Sequence, residues 1–256
     1  TEAAAFNPDI LHRLTLQYRM PKLLARNVCD TRYEDVNVGD NIDVAPVTRI
    51  TVGTISLTTG FKTTTYQAPT ETKVTIAINT WAYGAIALEV YEQAVAAKNL
   101  EQLYRQSALD TVLVKIDADA LAQIDSFTTY VLGTDNVPLP DSTIITAVSD
   151  LDINDAPSGM DKRNLVLYPT QFNEFMKLDK WTNSLYRNHT PINSMDMGEI
   201  YGCKVWKTTQ TKAGSSGHVN GLIGSEAIAL VVRKKPSAMV LDDPDTQSRK
   251  IVYPAI

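Results

Sequence analysis

Three histidines, His12, His189 and His218, are the only imidazoles in this 256-residue chain. They stand in "ILHRL", "RNHTP" and "SGHVN", with no His-x-x-x-His or His-Glu-x-x-His spacing. A protein metal site draws three or four ligands from short, recurrent spacings. Each histidine therefore reads as a solvated or structural residue. Four aspartates crowd "SDLDINDAPSGMD": Asp150, Asp152, Asp155 and Asp161. Close carboxylates bind calcium or do acid–base work. This run fails the calcium-loop pattern, and aspartates of this kind are common turn and cap residues. "GSSG" (214–217) is not a Gly-x-Ser-x-Gly elbow. No Gly-rich phosphate loop occurs. Cys29 and Cys203 lie far apart, without CxxC spacing, and read as two free thiols of a reducing compartment. The expectation is no catalytic residue, no cofactor and no metal, which points toward a structural role.

The totals agree with a globular chain. Hydrophobic residues make up 44% and charged residues 21%, and the net charge is −5. Phosphate neutralisation needs a basic excess that is absent here, so specific nucleic-acid binding gains no support. The longest apolar run, "AIALVV" (227–232), is far short of the roughly 20 residues that span a bilayer. The first residues, "TEAAAFNPDILHR", lack the basic start and apolar core of a signal peptide. The expectation is a protein made and assembled in a cytoplasm, with no membrane partner.

Positioning elements follow from periodicity. Residues 8–27 are amphipathic and basic and predict a helix from Pro8, kinked or broken at Pro21. Residues 85–125 read as helical. Within them a helix over 99–124, about 39 Å long at 1.5 Å per residue, would form a spine. Its expected stripe is Leu100, Leu103, Ser107, Val114, Ala118 and Leu121, with Tyr104, Ala108, Val112 and Ile116 beside it. Beyond it come a short helix in "DSTIITAVSDL" capped by Asp141 or Ser142, a buried strand "NLVLYP" (164–169), and a helix "TQFNEFMKLDKW" (170–181). "GEIYGCKVWKTT" (198–209) predicts a strand. "LIGSEAIALVVRKK" predicts a strand and then a helix from near Ser225. "SAMVLDD" and "RKIVYPAI" predict extended segments. Trp81, Trp181 and Trp206 read as core or interface anchors. The mixture lacks regular strand–helix alternation, so the class is α+β.

One region has no such economy. "VNVGDNIDVAPVTRITVG" and "TKVTIAIN" alternate as strands do, and twelve of residues 48–80 are threonine. This predicts a long hairpin with Gly60 near its tip. A two-stranded ribbon alone is marginal in water, so another surface must hold it.

The order of these parts, with "VGDNIDVAPV", "TETKVTIAIN", "ALDTVLVKID", "NLVLYPTQFNEFMK", and "GCKVWKTT" before "GLIGSEAIALVV", resembles the major capsid proteins of tailed bacteriophages, the Hong Kong 97-type fold. The resemblance covers essentially the whole chain. It implies an N-terminal arm (1–36), an extended β-hairpin loop (37–73), a peripheral domain with the spine helix (74–130), an axial domain (131–235) and a return to the peripheral domain (236–256). It also implies a virion shell subunit that forms hexamers and pentamers of an icosahedral or prolate head around double-stranded DNA, assembled in the host cytoplasm. Its partners would be many copies of itself, with portal, scaffolding and decoration proteins. Loop and arm residues Arg49, Ile55, Leu57, Phe61, Lys62, Tyr66, Arg13 and Arg19 are then the expected inter-subunit contacts. An encapsulin-type bacterial compartment shell resembles the same family and is the alternative with the same fold. A metal-dependent hydrolase using Asp150, Asp152, Asp155 and a histidine is the alternative from another class.

Overall fold

The computed structural model describes residues 21–33, 41–45, 49–55, 64, 66–68, 70–89, 100–134, 137–159, 161–182, 198–214, 217–243 and 248–256. The helices are α1 (Ala25–Val28), α2 (Leu100–Ala122), α3 (Asp141–Ile153), α4 (Pro169–Phe175) and α5 (Asp179–Thr182). The strands are β1 (Asn41–Val44), β2 (Val74–Ala77), β3 (Ala82–Glu89), β4 (Arg163–Leu167), β5 (Glu199–Ile200), β6 (Cys203–Lys207), β7 (Gly221–Gly224), β8 (Met239–Asp243) and β9 (Ser248–Ala255). The chain divides into two compact units, residues 36–80 and the remainder.

In the smaller unit, β1 and β2 pair antiparallel with Ile42 opposite Ile76. Asp43 takes an ion pair from Lys73 at 2.7 Å and the Thr75 hydroxyl at 2.8 Å. These bonds, Lys73's first, hold its carboxyl below the ordinary value. Residues 49–55 and 66–68 form no ladder, although the Thr51 N–H reaches the Gln67 carboxamide oxygen at 3.1 Å. The regular hairpin is therefore shorter than the alternation predicted. Gly60 lies outside the described residues.

Among the described residues the larger unit holds two sheets. β3, β9 and β8 form one, in that order and antiparallel throughout. α2 packs on it through Ala108 and Val112 against Ile251, Tyr253 and Ala255. Gly84 permits this closeness, since a Cβ there would stand 2.6 Å from the Ala108 carbonyl oxygen. The second sheet runs β5-β6-β4-β7, with β4 parallel to β6 and antiparallel to β7. Every residue of β4 is buried, as expected of a strand inside a mixed sheet. Phe172, Phe175 and Trp181 close one core over this sheet, and Leu24, Leu121, Ile124 and Ile223 belong to another. No helix among the described residues is long and apolar enough to cross a membrane.

Several elements differ from expectation. Residues 85–89 belong to β3, not to a helix; Ala85, Ala87 and Glu89 alternate with Ile86 and Leu88, a two-residue period that a helical reading overlooks. No helix starts at Ser225. The chain turns there, with the Ala227 N–H on the Gly224 carbonyl, and then runs extended with Ile228, Leu230 and Val232 buried. The single helix expected over 170–181 is two, α4 and α5, separated by a turn at Met176–Leu178. "GEIYGCKVWKTT" is a hairpin, β5 and β6, turning on Tyr201 and Gly202 at φ 51° and 72°, the backbone a two-residue hairpin turn requires. The first helix appears only as the single turn α1 after Pro21, and residues 8–20 lie outside the description.

Candidate functional site

The aspartate run does not assemble a metal centre, and among the described residues no group of three or more potential ligands comes together. Asp152 instead pairs at 2.7 Å with the buried Arg163, whose guanidinium also bonds the Ala156 and Pro157 carbonyls. His218 stacks on Tyr168, ring centroids 3.5 Å apart, and its Nδ1 lies 3.2 Å from the Thr211 carbonyl oxygen. His12 and His189 lie outside the described residues. Cys29 and Cys203 are free and buried; burial first, then the nearby Asp117 charge, pushes the Cys29 thiol up to about 11.

Asp141 neither caps α3 through its own side chain nor stands free. Its carboxylate accepts the Trp181 indole N–H at 2.8 Å, the Tyr201 hydroxyl at 2.9 Å and Lys180 at 3.2 Å. Burial works to raise its pKa, but these bonds together hold it below the ordinary value. Tyr201 in turn is pushed up to about 12, first by burial and then by that carboxylate. This is a knot tying α3, α5 and the β5–β6 turn.

The surfaces are more informative. In the 36–80 unit Ile42 is buried, while Ile50, Val52, Ile55, Tyr66 and Val74 are exposed, Val52 at 86% and Tyr66 at 90%. Of the expected contact residues, Arg49, Ile55 and Tyr66 are described, and all three face solvent. Leu57, Phe61, Lys62, Arg13 and Arg19 lie outside the described residues. In the larger unit the sheet face away from α2 shows Tyr83 at 69% and Leu241 at 60%, with Met239 beside Val252 in register. Of the three tryptophans expected as core or interface anchors, Trp181 is fully buried, Trp206 half-buried and Trp81 exposed.

One functional-looking residue escaped sequence reasoning. Asp117, 3% exposed, points from α2 to the start of α1, where its Oδ1 accepts the Leu24 and Ala25 N–H groups at 2.7 and 2.6 Å. Burial raises its pKa against the pull of those two bonds. Capping rules look within a few residues of the helix start, and this cap arrives from another element.

No protein-family profile matches the sequence, and no curated protein is similar to it. Solved structures do match. A structure from Mycobacterium phage Che8 is similar at TM-score 0.78 and 17% identity, over 98% of this chain and 91% of that one. The capsid structure of cyanophage P-SCSP1u matches at 0.74 and 14%, over 95% and 86%. The mature capsid of bacteriophage PhiM1 matches at 0.71 and 11%, over 96% and 85%. The chain has the α+β fold of phage capsid structures, as the sequence resemblance implied.

Proposed function

We propose that this chain is a phage major capsid protein, a structural subunit that self-assembles into the hexamers and pentamers of an icosahedral or prolate head enclosing double-stranded DNA. The observation that carries the reading is the 36–80 unit, whose described residues leave Ile50, Val52, Ile55, Tyr66 and Val74 in water while burying Ile42. Exposed apolar side chains on an element too thin to stand alone mark a surface meant for another molecule. A sister copy that gives and receives the same contact satisfies that need, and such heterologous contacts close into rings. The likeness in fold to phage capsids over nearly the whole chain supports the same reading.

In this reading residues 1–36 are the arm, 37–73 the extended loop, 74–130 and 236–256 the peripheral domain and 131–235 the axial domain. The working form is the virion shell, built in the host cytoplasm with portal, scaffolding and decoration proteins as further partners. DNA is held by enclosure, since a net charge of −5 offers no general attraction to phosphate. The role is structural and not enzymatic, in keeping with carboxylates tied up in ion pairs and caps.

Electron microscopy and light scattering of the purified protein test this directly. Closed particles or rings are expected; a monomer at every concentration and salt tried would count against it. Replacing residues 48–66 with a short linker should leave a folded body that no longer assembles. Normal particles from that variant would show that the loop is not the locking element.

A further inference from the structure

We propose that Asp117 is a positioning residue for the N-terminal segment: from the long helix it fixes the register at which residues 21–30 dock on the body. The inference rests on the capsid reading and deepens it, since the arm is the part expected to reach a neighbouring copy.

The geometry is specific. The two N–H groups that Asp117 accepts are the first of α1, which has no side-chain cap of its own. Leu24 and Ala25 are 0% and 2% exposed, so water has little access to replace the carboxylate. A buried donor without an acceptor is costly, and each of these has Asp117. Apolar contact alone is non-directional and tolerates sliding, whereas two converging hydrogen bonds on one oxygen do not. Residues Asp30 and Ile228 secure the far end: the Asp30 N–H donates to the Ile228 carbonyl, and the Leu230 N–H donates to the Asp30 carbonyl, both at 2.8 Å. Two fixed points, Asp117 near the arm and residues 228–230 beyond, define a direction.

The other carboxylate oxygen, Oδ2, is buried and has no hydrogen-bond partner among the described residues. A half-satisfied buried carboxylate is a poor way to fill space. A residue kept only for packing would not be an aspartate; what this one supplies is the acceptor for two buried N–H groups. Substitutions that remove the acceptor and that keep it should therefore differ.

Full-length Asp117→Leu and Asp117→Asn test this by amide hydrogen exchange of the unassembled protein and by microscopy of the assembled one. Asp117→Leu is expected to keep the parent far-UV spectrum and to melt several degrees lower, because two buried N–H groups lose their acceptor. Its Leu24 and Ala25 amides should exchange at least about tenfold faster, as loss of a buried acceptor implies, and its particles should be absent or uneven in size. Asp117→Asn keeps the Oδ1 acceptor and should restore both protection and uniform particles. Unchanged exchange at those two amides in Asp117→Leu, or uniform parent-like particles from it, would overturn the proposal. So would a folded Asp117→Asn that loses protection, and that variant decides the matter if Asp117→Leu does not fold. Parent protein that forms no particles overturns the capsid reading, and the exchange result then supports or overturns the role of Asp117 by itself.

Discussion

A carboxylate sunk into the apolar side of the long helix, Asp117, meets two backbone N–H groups on one oxygen and, among the described residues, nothing on the other. Burial raises its pKa, so the folded protein holds the proton to a higher pH than the unfolded chain does. Its contribution to stability is fully present below the unfolded value and is lost as pH rises through the folded one. Asp141 behaves in the opposite sense. Its folded pKa is lowered despite burial, so its contribution is present above the unfolded value and lost as pH falls through the folded one. Acidification from neutral pH should relieve the cost of the buried Asp117 charge and loosen the Asp141–Trp181–Tyr201 knot. The pH dependence of unfolding of Asp117→Asn against the parent protein checks the first, and indole fluorescence of Asp141→Asn against the parent protein checks the second. Identical slopes at both sites would refute the assignment. At this scale the sequence was least legible. "VKIDADALAQID" places Asp117 on what periodicity calls the core side, where a charged residue looks like a mismatch. Its partner N–H groups are distant in the chain, and nothing local announces them.

Among the elements, legibility followed the length and regularity of the pattern. The spine helix was expected over 99–124 and runs Leu100–Ala122 before a tighter turn to Ser126. Its buried face is Ala108, Val112, Ala120, Leu121 and Ile124. Leu121 was expected within the stripe, whereas Ala108 and Val112, which meet the sheet, were expected at its flank. Gly84 marks how close helix and sheet come. The segment after β7 was misread for the opposite reason. Residues 227–232 are apolar at every position, and an unbroken apolar run fits a buried helix or a buried strand equally. The alternation of buried Ile228, Leu230 and Val232 with exposed Ala229 belongs to a strand, bridged to Asp30. The two geometries predict different mutational patterns. Leu230→Ser should destabilise by about 2–4 kcal/mol, as for loss of a buried aliphatic side chain and burial of a hydroxyl. Ala229→Ser should stay within about 0.5 kcal/mol, as an exposed substitution does. Chemical denaturation of the two variants reads the difference, and equal costs would argue against the extended assignment.

At the scale of the whole molecule, exposure and stability are decoupled in the 36–80 unit. Val52 and Tyr66 are nearly as exposed as free side chains, so removing them deprives the isolated chain of almost nothing. Among copies the same atoms would leave water. Burying an aliphatic or aromatic side chain is worth roughly 1.5–3 kcal/mol, and each 1.4 kcal/mol is a factor of ten in an association constant. The double variant Val52→Ser, Tyr66→Ser should therefore melt as the parent does, within about 0.5 kcal/mol, while the concentration needed for assembly rises by at least about tenfold. In the proposed ring every subunit would both offer and receive this contact, so the loss would repeat at each interface and sharpen the threshold. Sedimentation over a dilution series would measure that threshold. A variant that assembles at the parent concentration would place the decisive interface elsewhere on the chain, with the exposed sheet face around Tyr83 and Leu241 as the next surface to alter.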